Sequence, residues 1–201
     1  MALLMATCIS EITRITTPEA PYNDDVLRDI FHLIVTTFRG LDNINSPSFG
    51  RRVTILGTVT KIRSCVMMLD LECHDLILEM FHIFFSVASE AHPENLLTSM
   101  QTIMTLVLDE SEDIPEQLLA VVLASFGRGK EDVSPTTRRL AMTVLEQCAI
   151  KLEPYVIHFI TSAMAAEETS KKKTTCKLPT MRLFMIYISV HPRCCRVLFQ
   201  I

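Results

Sequence analysis

Pro47, Pro93 and Pro135 stand 46 and 42 residues apart, and each opens a stretch of helical pattern. Proline at a first helical position loses no hydrogen bond, because that N–H has no partner within the helix. Serine precedes two of these prolines, at Ser46 and Ser134, and a serine side chain there can accept from a free N–H of the first turn. The prolines therefore punctuate the chain at a nearly constant interval. Any fold must accommodate a helix start every 42 to 46 residues.

Two helical patterns fill each interval. From Asp24 to Leu41 the apolar residues Val26, Leu27, Ile30, Phe31, Ile34, Phe38 and Leu41 recur at steps of one, three and four. That spacing gathers them on one face. Asp24 and Asp25 suit the positive end of the helix dipole, and Gly40 is the expected stop. The next helix is expected to start at Ser46–Pro47 and run to about Asp70, with a bend or close contact at Gly57. Further helices follow at about Cys73 to Ser89, from His92–Pro93–Glu94, from Asp113–Ile114–Pro115–Glu116, and from Ser134–Pro135. Glu153–Pro154 is read as one more restart. Valine and isoleucine fall inside 3.6-residue patterns, so no strand is predicted. A helix pair of this length matches the HEAT-type repeat of roughly 40–47 residues. The fold class is thus all-α, a HEAT/armadillo-like helical repeat solenoid. Sequence identity between the intervals is weak, and a compact all-α bundle is the alternative.

Residues 1–166 are assigned to the helical repeats. Beyond them, Ser170 to Lys177 is polar and basic, and Leu178 to Ile201 is apolar and cysteine-rich without a clean amphipathic face. Residues 167–201 are read as a tail outside the stack. The lysine run reads as a nuclear address or a solvated linker.

Hydrophobic residues make up 49% of the 201 residues, enough for a substantial core and against extensive disorder. The formal charge is −4, so direct neutralisation of nucleic-acid phosphates is not expected. The seven cysteines are odd in number and show no Cys-x-x-Cys pair; they read as reduced thiols of an intracellular protein. Met1 to Ile15 lacks a basic start, and Glu11 and Arg14 interrupt its apolar run, so no secretory signal is read there. The apolar tail segment Leu183 to Val190 is too short for a span of roughly 20 residues.

Chemistry-bearing motifs are sparse. Gly127-Arg128-Gly129-Lys130 lacks the preceding strand and the Lys-Ser/Thr step of a phosphate loop, and reads as a turn. Cys73, His74 and His82 do not have ligand spacing. Asp109, Glu110, Glu112 and Asp113 read as a solvated turn that supplies a cap for the helix at Pro115. Arg51, Arg52, Lys61, Arg63, Arg138 and Arg139 could meet acidic partner segments, against the plainer reading of a solvated surface. Arg52 and Arg63 are eleven residues apart and share a face if their helix is straight. They are the candidate partner-binding residues. No catalytic, metal or cofactor residue is assigned.

The segment Arg14-Ile15-Thr16-Thr17-Pro18-Glu19-Ala20-Pro21-Tyr22, with Ala6 to Ile12 before it, resembles the N-terminal region of the precocious-dissociation-of-sisters family. Asp29-Ile30-Phe31, Gly40-Leu41, Ser46-Pro47-Ser48-Phe49, Phe81 to Val87, Asp109-Glu110-Ser111 and Leu152-Glu153-Pro154-Tyr155 resemble later parts of that region, the last most like its plant branch. The similarity covers about residues 2 to 166. It implies a HEAT-repeat scaffold bound to the cohesin ring through its kleisin subunit. It further implies a nuclear, chromatin-associated protein that regulates sister chromatid cohesion and assists DNA repair, without catalysis or a cofactor. Family members are far longer than 201 residues, so a truncated member is expected, with a tail unlike the family. A generic armadillo/HEAT interaction adaptor is the alternative; the chain has no tryptophan and no inner asparagine ladder to favour it. A helical enzyme using Cys and His is a third reading.

Overall fold

The computed structural model describes residues 2–16, 22–126 and 133–169. The helices are α1 (Ala2–Thr16), α2 (Asp24–Phe38), α3 (Phe49–Ile62), the single turn α4 (Met67–Asp70), α5 (His74–Val87), α6 (Glu94–Glu110), α7 (Glu116–Phe126), α8 (Pro135–Gln147) and α9 (Ala149–Thr169). No strand occurs among the described residues.

Successive long helices fall alternately into two rows. α1, α3, α6 and α8 pack in order along one row, and α2, α5, α7 and α9 along the other. Each helix therefore meets the helix two long elements away. This is the geometry of stacked helix pairs and not of a closed bundle. The long-range side-chain hydrogen bonds carry the same period. Arg39 to Glu79 spans 40 residues, Arg28 to the Leu71 carbonyl 43, Arg63 to Glu110 47, and Thr137 to the Phe85 carbonyl 52. Each ties one pair to the next.

The core lies between the rows. Phe38, Phe81, Phe84, Ile55, Leu56, Met100, Ile103 and Met104 are fully buried. Phe38 of α2 and Phe84 of α5 sit with ring centroids 5.5 Å apart, a spacing at which tilted aromatic pairs attract. The methionines of α6 fill gaps in this core, as their spacing predicts.

Several helix boundaries differ from the sequence reading. α2 starts at Asp24 as expected, with Asp24 and Asp25 in its first turn, and its cap is Asn23, whose side chain accepts from the Val26 N–H at 3.0 Å. Gly40 lies inside a 3₁₀ turn, Arg39–Asp42. A Cβ there would stand 2.4 Å from Cζ of Arg52, so a side chain at this position would displace that guanidinium. Ser46–Pro47 precedes α3 by two residues, and α3 has no side-chain cap. The expected long helix to Asp70 breaks at Arg63, which closes α3 in the left-handed region with φ 54°. Gly57 sits inside α3 with open space where a side chain would project; the bend expected there is six residues later. Below the break, Cys65 and Met68 are buried and plug the turn. Pro154 does not restart a helix but lies within α9. The carbonyl it leaves without a donor belongs to Ile150, which is 93% exposed, where water can replace the lost bond. The turn Thr17 to Pro21, the loop Gly127 to Asp132 and residues 170–201 of the expected tail lie outside the described residues.

Candidate partner-binding surface

The α4–α5 and α6–α7 turns build a depression on one side of the stack. A groove of about 640 Å³ runs between the start of α5 and the α6–α7 turn. Its apolar floor includes Ile77 and Leu118, both buried from solvent. Asp70, Glu72, Asp75, Glu110, Glu112 and Asp113 line it with carboxylates. Asp75 faces both this groove and a second depression of about 370 Å³, between α2 and α5, that also contains His32 and Glu79.

Three side chains hold the acidic turn in place. Arg63 Nη2 donates to Glu110 Oε1 at 2.9 Å, both side chains about half exposed. Lys151 Nζ donates to the carbonyls of Asp109 and Ser111. A cation at the C-terminal end of α6 complements the negative end of that helix dipole. Tyr155 Oη approaches the Glu112 carbonyl at 3.3 Å and Asp113 Oδ1 at 3.4 Å. Asp113 thus accepts from α9, a role the capping expectation did not include. The distinctive segments 109–111 and 152–155 thus meet in space. Their separation of one repeat length was the available signal.

The two candidate arginines occupy opposite ends of α3. Arg63 belongs to the groove end. Arg52, near the N-terminus of α3, lays its guanidinium over Gly40 and donates from Nη1 to Ser46 Oγ at 3.4 Å. The straight helix on which they would share a face ends at Ile62. Among the other basic residues, Arg139 approaches Glu94 at 3.6 Å.

Cys73, His74 and His32 line the second depression, whereas Cys65 and Cys148 are buried in the core. Burial pushes the Cys65 thiol up to about 11. Burial, with the charge of Asp109 beside it, pushes Cys148 up to about 12. Both are neutral near pH 7 and weak nucleophiles. His74 lines the groove, whereas His82 lies eight residues along α5, roughly 12 Å away. No three His, Cys, Asp or Glu side chains among the described residues could hold a metal ion together. No helix among them is long and apolar enough to cross a membrane.

A two-row stack of helix pairs defines the class of HEAT-type repeat proteins. A solved structure described as "Structure of the Pds5-Scc1 complex and implications for cohesin function" superposes with a TM-score of 0.71 over 95% of this chain and 28% of that one, at 22% identity. The family model for "Sister chromatid cohesion protein PDS5 protein" matches residues 2–189. The chain belongs to the PDS5 family of sister chromatid cohesion proteins. It is 54% identical over 165 residues to sister chromatid cohesion protein PDS5 homolog A of Arabidopsis thaliana, covering 82% of this chain and 10% of that protein. It is 49% identical over 159 residues to homolog C of the same plant, covering 79% of this chain and 18% of that protein. These plant relatives agree with the plant-branch resemblance. The chain spans less than a fifth of the length of either relative.

Proposed function

We propose that the chain acts as a non-enzymatic scaffold that binds cohesin through its kleisin subunit and regulates sister chromatid cohesion on nuclear chromatin. The observation that carries this reading is the family match over residues 2–189. The superposition on the Pds5-Scc1 structure supports the fold on which it depends. Scaffolding works by differential binding, so the stack would hold a partner segment and position other regulators of ring opening. A role in DNA repair belongs to the same proposal. Of the expected tail, 167–201, the first three residues continue α9, and the basic-then-apolar remainder is proposed to lie outside the stack.

The groove suits an extended or helical segment that sets an apolar side chain on Ile77 and Leu118 and offers Lys or Arg to the surrounding carboxylates. Arg63 borders this surface, and Arg52 is the proposed second contact, at the far end of α3. The test is co-precipitation of the tagged chain with cohesin from nuclear extract, beside a chromatin fractionation. Recovery of kleisin, and a chain in the chromatin fraction, are expected. A helical chain that recovers no cohesin subunit and stays off chromatin would overturn the proposal.

A further inference from the structure

Two Ser-Pro steps lie among the described residues, and the fold uses them differently. Ser134 is fully engaged as the cap of α8. Its Oγ accepts from the Thr137 N–H at 3.0 Å and donates to the Ala88 carbonyl of the preceding pair at 3.3 Å. Ser46 caps nothing. It sits half-buried in a turn whose neighbours Asn43, Ile44, Asn45 and Pro47 are exposed. Its Oγ accepts from the Ser48 N–H at 3.3 Å and from Arg52 Nη1 at 3.4 Å. The Nε of Arg52 is buried with no hydrogen-bond partner. The absence of a side-chain cap on α3 leaves its first turn open to an anion as well. A half-buried serine in a turn with exposed neighbours, a guanidinium already on its oxygen and an unspent donor on that guanidinium form a receptor for a phosphoryl group attached to Ser46.

We propose that Ser46 is the phosphoacceptor of a proline-directed serine/threonine kinase, with Arg52 as the side chain that receives the phosphate. Ser46 Oγ attacks the γ-phosphorus of ATP. The Oγ–P bond forms as the bond from that phosphorus to the bridging oxygen of ADP breaks, and the hydroxyl proton passes to the kinase's base. The product carries roughly −1.5 to −2 charges and three strong acceptors. Arg52 can meet them with charge-assisted bonds, tying the α2–α3 turn to α3. The local positive charge of Arg51 and Arg52 is then cancelled. Withdrawal of Arg52 from a partner follows only if the partner reading above holds; the modification itself does not depend on it.

The test is incubation of the full chain with ATP and a purified cyclin-dependent kinase, then site mapping by mass spectrometry. Phosphate on Ser46, with Ser134 unmodified, is expected. Phosphorylation should raise the melting temperature by about 2–4 °C, and Arg52→Gln should lose most of that gain. In the unsubstituted protein, ³¹P NMR should place the second ionisation of phosphoserine below its value in a peptide of residues 41–52, which is about 6. A folded chain modified only elsewhere, Thr17 included, overturns the proposal. So does a phosphate that titrates as in the peptide, or an equal thermal gain in Arg52→Gln.

Discussion

Ser134→Ala and Ser46→Ala should have very different costs, although both serines precede a proline at a repeat boundary. Ser134 Oγ satisfies a first-turn N–H of α8 at 3.0 Å, and loss of such a cap costs about 1 kcal/mol. The same oxygen donates across the repeat interface to the Ala88 carbonyl, a bond worth about 1 kcal/mol. Thr137 keeps its own bond to the Phe85 carbonyl at 2.9 Å, which limits the damage. The sum is about 2 kcal/mol, or a fall in melting temperature of roughly 4–8 °C for a chain of this size. Ser46→Ala removes two long bonds in a turn with exposed neighbours, and should cost about half a kcal/mol. Urea unfolding followed by circular dichroism at 222 nm measures both. Equal losses, or a larger loss for Ser46→Ala, would refute the distinction between a serine that caps a helix and one that does not.

Phe84→Ala should cost about 3–5 kcal/mol, because the ring is fully buried against Phe38; a loss under 1 kcal/mol in the same unfolding assay would contradict the inter-row core. Alkylation at pH 7.5 with peptide mapping should modify Cys8, which is exposed, well before Cys65 and Cys148, which are buried. The raised thiol values also set a pH dependence. The folded state holds these protons more tightly than the unfolded state, so their contribution is intact below pH 9 and is lost as pH rises toward 11 to 12. Urea midpoints should fall through that window, and Cys65→Ala should flatten the fall.

The amphipathic helices were legible where periodicity and a breaker agreed. Leu27 to Phe38 and the run from Leu96 to Val107 show their faces directly, although Val26, expected on the same face, is exposed, and Ser134–Pro135 caps as written. Local rules failed where a tertiary contact decided. Arg63 ends α3 in a left-handed conformation while its side chain reaches Glu110, 47 residues away, and nothing beside Arg63 in sequence announces it. Pro154 sits in a helix because the carbonyl it orphans lies beside an exposed residue. Ser46 looks like Ser134 but its oxygen takes the Ser48 N–H and Arg52 instead of a first-turn N–H of α3. The acidic turn of the groove was visible as composition. The clamps on it from Lys151 and Tyr155 were not, because they arrive one repeat later.

Titration of purified kleisin into the chain, with hydrogen-exchange mapping, tests the central claim most directly. The account predicts saturable binding and added protection at residues 69–78 and 110–118, the two sides of the groove. A chain that keeps its helical signal and binds no kleisin would contradict the account.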